Sequence, residues 1–145
     1  FAIAGESGVA GLTLLGVDGN ERSTLANDLR SKSTLTVADA HLDEVSLAKT
    51  LPDAQVLIHC TPVGMSPKTE ASCVPASLLT PGLAVMDIVY NPRDTQLLKD
   101  ARQAGCVTIP GLEMFLHQAV AQFELWTGHA APEDVMRSVL ESRFR

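Results

Sequence analysis

The run Val56–Met65, VLIHCTPVGM, most limits what this chain can become. Its first half, Val56–Cys60, is a short apolar stretch of β-formers. Such a stretch predicts a parallel strand buried on both faces. Thr61-Pro62 ends it, because proline cannot donate to the ladder of a central strand. Gly64 then permits a turn whose backbone can lie close to a ligand. Ligands of open α/β sheets bind outside the carboxyl ends of the strands. A strand leaving through Thr-Pro-x-Gly is therefore a candidate wall of a site, with an ordinary strand-to-loop exit as the alternative.

Upstream, Phe1–Ala4 reads as a short strand followed by Gly5-Glu6-Ser7-Gly8 and Val9-Ala10-Gly11. Spaced glycines after a strand are the start of a dinucleotide fingerprint, since they let backbone N–H groups approach a pyrophosphate. The spacing here is G-x-x-G, and a plain turn fits it equally. A second apolar run, Leu12–Leu15, comes only seven residues later, Gly5 to Gly11. A crossover between parallel strands needs a helix of about ten residues or more. The first crossover therefore reads as shortened. Either its helix is missing, or Val9–Leu15 is that helix and the second strand is lost, or residues are omitted.

Beyond the turn Gly16–Gly19, Asn20–Arg30 is predicted helical, with Leu25 and Leu29 spaced i, i+4. Thr34–Val37 is a predicted strand and Asp39–Leu51 a helix. After the central run, Ser66–Thr80 is loop with a helical turn near Pro75–Leu79. Leu83–Val89 is a strand carrying Asp87, which either orients a ligand or caps a loop. Thr95 caps a helix to Ala104, and Cys106–Ile109 is the last strand before Pro110-Gly111. Leu112, Phe115, Leu116, Ala119, Val120 and Phe123 then form the clearest amphipathic stripe. Phe123 and Trp126 are expected in the core. Pro132 opens a final helix to about Phe144.

Strands thus alternate with helices, which predicts a single α/β domain over 1–145, three layers deep, with a mostly parallel sheet covered by helices on both faces. The glycines at 5 and 8, Thr61–Gly64, Asp87–Tyr90 and Pro110–Gly111 all follow strand ends, and such ends share one edge. That coincidence favours a ligand site there.

A net charge of −6 argues against nucleic acid or an anionic membrane as the main partner. No apolar run approaches the roughly 20 residues a membrane helix needs, and no signal-peptide pattern opens the chain. Cys60, Cys73 and Cys106 are irregularly spaced without a C-x-x-C pair, which fits free thiols in a reducing cytoplasm. Cys60 and Cys106 read as core packing and His59 as a satisfied core histidine. No metal-ligand spacing and no Ser–His–Asp arrangement is present. Because it begins at Phe1, the sequence reads as a piece of a longer chain.

At Thr61–Met65 (TPVGM), Met86–Leu98 (MDIVYNPRDTQLL), Ala104–Cys106 (AGC) and Gly111–Gly128 (GLEMFLHQA…FELWTG) the chain resembles the shikimate dehydrogenase family. The runs occur in family order. The GLEMF form and the tail HAAPEDVMR resemble the dehydrogenase module of bifunctional dehydroquinate dehydratase–shikimate dehydrogenases. The resemblance implies a Rossmann-like domain for NADP in an oxidoreductase that reduces 3-dehydroshikimate to shikimate in aromatic amino acid biosynthesis. It also implies a separate N-terminal domain, absent from this chain, that carries a catalytic Lys–Asp pair. The helices of 111–145 would pack against it, the chain alone would be inactive, and a homo-oligomer is left open.

Residue by residue, the resemblance makes Gln118 a ligand of a substrate hydroxyl and Tyr90 a neighbour of the substrate carboxylate. It sets Ile88 and Gly111 against the nicotinamide carboxamide, and Thr61 and Gly64 beside the cofactor ribose and phosphates. Gly5, Ser7, Gly8, Val9 and Ala10 take the glycine loop, with Glu6 and Ser7 where the family usually has Ala-Gly. Glu6 would then repel a pyrophosphate. Gly16-Val17-Asp18 falls where the family holds the 2′-phosphate of NADP, and Asp18 there would favour the 2′-hydroxyl of NAD. The alternatives are thus an NAD-linked quinate or shikimate dehydrogenase domain and a degenerate, non-catalytic module.

Overall fold

A computed structural model describes residues 8–144. Contacts divide the chain between Pro52 and Asp53 into two compact units. The expected strand Phe1–Ala4 and the positions Gly5, Glu6 and Ser7 lie outside the described residues.

In the first unit, β1 (Gly11–Gly16) pairs in parallel with β2 (Thr36–His41), Gly11 opposite Thr36 and Gly16 opposite His41. The helix α1 (Gly19–Lys32) joins them, and α2 (Glu44–Thr50) follows. The crossover between these two strands has full length, with 14 residues in α1, while the expected short crossover between Phe1–Ala4 and Leu12–Leu15 reaches outside the described residues. The run Leu12–Leu15 is the first described strand, and Gly16-Val17-Asp18-Gly19 is its exit into the helix. Asp18 caps α1, and Arg30 and Lys32 sit in its last turn, where cations suit the helix dipole. Ala26 and Leu29 are its buried residues, while Leu25 is 45% exposed. The i, i+3 pair packs, not the i, i+4 pair that hydropathy picks out. Asp39 belongs to β2 rather than to a helix, and Asp43 caps α2 by accepting from Ser46 N at 2.8 Å. The expected strand Thr34–Val37 overlaps the start of β2, and the alanines and charge of its second half hide the rest from a hydropathy reading.

In the second unit, β3 (Val56–His59), β4 (Ala84–Asp87) and β5 (Val107–Ile109) form a parallel sheet in the order β3-β4-β5. Thr95 caps α3 (Gln96–Gln103), whose Leu97, Leu98 and Ala101 are buried, as is Val85 of the central strand. The helices α4 (Gly111–Thr127) and α5 (Glu133–Arg143) complete the unit. Arg137 of α5 reaches Glu113 of α4 at 2.8 Å.

β3 is an edge strand of this sheet and is not buried on both faces. Val56, Ala84 and Val107 are in register, as are Ile58, Met86 and Ile109, so all share one face. On it Val56 is 56% and Val107 61% exposed. The opposite face carries buried Val85 and Asp87. Cys60 is exposed, Cys106 only partly covered, and Trp126 lies largely in the open rather than in the core.

Candidate functional site

The second unit builds a crevice from the exits of β3 and β4. Leaving β3, the Thr61 hydroxyl accepts from Val63 N at 3.2 Å, a local turn that aims the chain outward. Gly64 follows at φ +84°, a conformation glycine adopts without penalty. A methyl group there would come within 3.0 Å of the Ala71 carbonyl oxygen. Leaving β4, the chain runs Ile88, Val89, Tyr90, Asn91. Ser66 N donates to the Asn91 carbonyl at 3.0 Å and ties the two exits together. The space between them, about 470 Å³, is lined by Cys60, Thr61, Pro62, Met65, Ser66, Ile88, Val89, Tyr90 and Asn91.

Tyr90 has one edge at the surface and one face in contact. Its ring stacks on Phe115 of α4, centroid to centroid 4.8 Å, and meets Phe144 edge-on at 5.5 Å. Both geometries suit the aromatic quadrupole. α4 can begin this close to β4 because its first residue is glycine. A Cβ on Gly111 would fall 2.6 Å from both the Ile88 and the Val89 carbonyl oxygens.

Beneath the crevice lies a buried polar chain. Asp87 is fully buried and His59 is 5% exposed. His59 Nδ1 lies 2.9 Å from Asp87 Oδ1, and its Nε2 meets the Thr61 hydroxyl. Asp87 also accepts from Val89 N at 3.0 Å and from the Thr95 hydroxyl at 2.7 Å. The Thr95 oxygen in turn accepts from Leu98 N, capping α3. One carboxylate thus fixes the β3 exit, the β4 exit and the start of α3. His59 is the satisfied core histidine its apolar strand predicts. Asp87 orients the crevice walls from below instead of facing into it.

Burial opposes a charge on His59, but the bond to Asp87 and the neighbouring Cys73 outweigh it and push its pKa up to about 9. Asp87 loses from burial and gains more from His59, Thr95 and Val89 N, which hold its carboxyl below the usual range. The folded histidine pKa lies above the unfolded value near 6.5. Its stabilisation is therefore complete below about pH 6.5 and is lost as pH rises through about 9. Urea midpoints are expected to fall across that window. His59→Asn should flatten the decline, and an equally steep decline in that variant would rule the pair out as its source.

The first unit holds a separate cluster. Asp18 Oδ1 accepts from Asn20 N at 2.8 Å and from Glu21 N at 2.9 Å. Arg22 donates to the Gly16 carbonyl at 2.7 Å and pairs with Asp39 at 3.3 Å. Arg30 meets the other Asp39 oxygen at 2.7 Å. The bonds from Arg30 and then Arg22 hold the Asp39 carboxyl below the usual range.

These placements correct the reading of the first third. Asp18 follows β1, the expected strand Leu12–Leu15, and caps the crossover helix there, whereas the acid beside the arginines is Asp39 of β2. Gly8, Val9 and Ala10 lead into the amino end of β1, where the Ala10 carbonyl accepts from Thr36 N. That is the opposite end from Gly16 and the helix start, so they cannot line a phosphate cradle there. The loop with cradle geometry is Gly16-Val17-Asp18-Gly19. Asp39, twenty residues past Gly19, was missed, although that spacing is itself the signal for a ribose-facing acid. In the second unit Thr61, Ile88 and Tyr90 line one crevice, with Gly64 and Gly111 in the backbone behind it. Gln118 lies exposed on α4 and is not among the lining residues. Among the described residues no group of three or more His, Cys, Asp or Glu could hold a metal, and no helix is long and apolar enough to cross a membrane.

The family model for the Shikimate 5'-dehydrogenase C-terminal domain matches residues 111–141. A shikimate dehydrogenase (NADP(+)) of Natronomonas pharaonis is 43% identical over 145 residues, 96% of this chain and 53% of that protein. A crystal structure of Listeria monocytogenes shikimate 5-dehydrogenase in complex with shikimate and NAD superposes with a TM-score of 0.85 at 30% identity, covering 92% of this chain and 48% of the other. Quinate dehydrogenase of Corynebacterium glutamicum in complex with NAD gives 0.83 at 31%, covering 93% and 47%. The chain spans about half the length of the curated relatives it matches. With this α/β architecture and these matches, the chain belongs to the shikimate dehydrogenase family and corresponds to its C-terminal part.

Proposed function

We propose that residues 1–145 serve as the nucleotide-binding domain of a shikimate dehydrogenase that interconverts 3-dehydroshikimate and shikimate with NADP. The observation that carries this is the crevice where Thr61, Ile88 and Tyr90 converge at the carboxyl ends of adjacent parallel strands. Its volume of about 470 Å³ suits a small planar group, and its lining is mostly apolar with a few polar atoms. When bound, the nicotinamide supplies or accepts the hydride. Ile88 and Gly111 fix the backbone against which its carboxamide would rest. Tyr90, held by Phe115, would present its hydroxyl toward the substrate carboxylate, and Gln118 would reach a substrate hydroxyl from α4. Thr61 and Gly64 would flank the ribose and phosphates.

The proton-transfer groups would come from an N-terminal domain. Exposed Leu125 and Trp126 on α4, with Val135 and Val139 on α5, support packing of these helices against it. Arginines beside Asp39 support NADP; the acid itself supports NAD as the alternative. Three free cysteines support a cytoplasmic setting. A second reading, a non-catalytic module, is favoured by Asp18 filling the start of α1.

The test joins this chain to the N-terminal domain of a family member and measures shikimate-dependent reduction of NADP and of NAD. Activity with NADP is expected, and Tyr90→Ala should lower kcat/KM by about tenfold, the size of one lost polar contact. A folded fusion inactive with both cofactors would overturn the proposal.

A further inference from the structure

We infer that Asp18 is a built-in competitor for the diphosphate of the dinucleotide at the start of α1. The inference rests on the dinucleotide-binding role proposed above. The first N–H groups of a helix lack internal partners and, with the helix dipole, draw an anion. α1 is long enough to present such an end, and it follows a parallel strand directly. The flanking glycines leave room for close approach. A Cβ on Gly16 would meet nothing nearer than Arg22 Cβ at 3.9 Å, and one on Gly19 nothing nearer than the Arg22 guanidinium at 3.9 Å.

The residue between those glycines fills the position itself. Asp18 Oδ1 already takes the N–H groups of Asn20 and Glu21, the donors a phosphate oxygen would use. Arg22 cannot compensate from where it stands, because it is bonded to the Gly16 carbonyl and to Asp39. A diphosphate must therefore displace the Asp18 carboxylate and then tolerate its charge nearby. Rotation of one side chain empties the place, so the loop is self-occupied rather than destroyed.

Asp18→Gly removes both the carboxylate and its bonds, and glycine is an accepted N-cap. Asp18→Asn keeps an oxygen for the two N–H groups but removes the charge. The whole chain and both variants are titrated with NADPH, followed by its fluorescence, and with inorganic pyrophosphate, followed by calorimetry. Circular dichroism confirms that all three remain folded. Asp18→Gly is expected to bind both probes at least about tenfold tighter than the parent, with Asp18→Asn between them. A parent that binds NADPH as tightly as Asp18→Gly overturns the inference and leaves the proposed function standing. Tighter pyrophosphate binding by Asp18→Gly, with no NADPH binding by any form, overturns both the inference and the cofactor assignment. No pyrophosphate binding by any of the three also overturns the inference.

Discussion

Gly111→Ala is expected to cost about 3 kcal/mol or more, at the upper end of overpacking penalties. The added methyl would sit 2.6 Å from two backbone carbonyl oxygens, of Ile88 and Val89. Backbone at the exit of a central strand cannot retreat as a flexible side chain can. β4 lies between β3 and β5, and Val89 is buried. Relief must come from moving the start of α4. That shift would pull Phe115 off Tyr90, which stack at 4.8 Å, and open the crevice from behind. Urea denaturation reads the stability loss, and near-UV circular dichroism reads the loosened rings. Stability within about 0.5 kcal/mol of the parent, the range of an ordinary surface substitution, would show that the contact is not rigid.

Asp87→Ala should destabilise by about 3–5 kcal/mol at neutral pH, the usual cost of removing one partner of a buried ion pair. Asp87 is the acceptor for His59, Thr95 and Val89 N at once, so its loss strands an imidazolium and two further donors. The histidine can shed its proton, which limits the damage above neutrality. The deficit is therefore expected to be larger at pH 6 than at pH 9, opposite to a simple packing defect. Asp87→Asn keeps an acceptor oxygen and should lose less. Denaturation at both pH values decides the matter. A penalty under about 1 kcal/mol at pH 6 would mean that the His59–Asp87 pair contributes little.

The expected α/β alternation holds because its signals are local. Thr95 caps α3 through an i, i+3 bond that needs no distant partner. Pro62 and Gly64 act through their own backbones. The first third misled for an equally local reason. Glycines at 5, 8 and 11 drew the expected phosphate loop upstream of β1, while the second half of β2 hides behind Asp39 and small alanines. The loop with cradle geometry is Gly16–Gly19 rather than the residues before β1, and that changes the meaning of Asp18.

What the amino-acid order determined by itself was where elements start and stop and which kind each is, because caps, prolines and glycines act within a few residues. Only the tertiary structure decided what meets across the chain. His59 and Asp87 are 28 residues apart and become partners because β3 and β4 pair in parallel with those two residues opposite each other. Gly111 matters because α4 starts against carbonyl groups more than 20 residues earlier in the chain. Asp39 is held by arginines 17 and 9 residues away, on the helix that crosses from β1 to β2. Such contacts depend on strand register and helix placement, which no short stretch of sequence encodes alone.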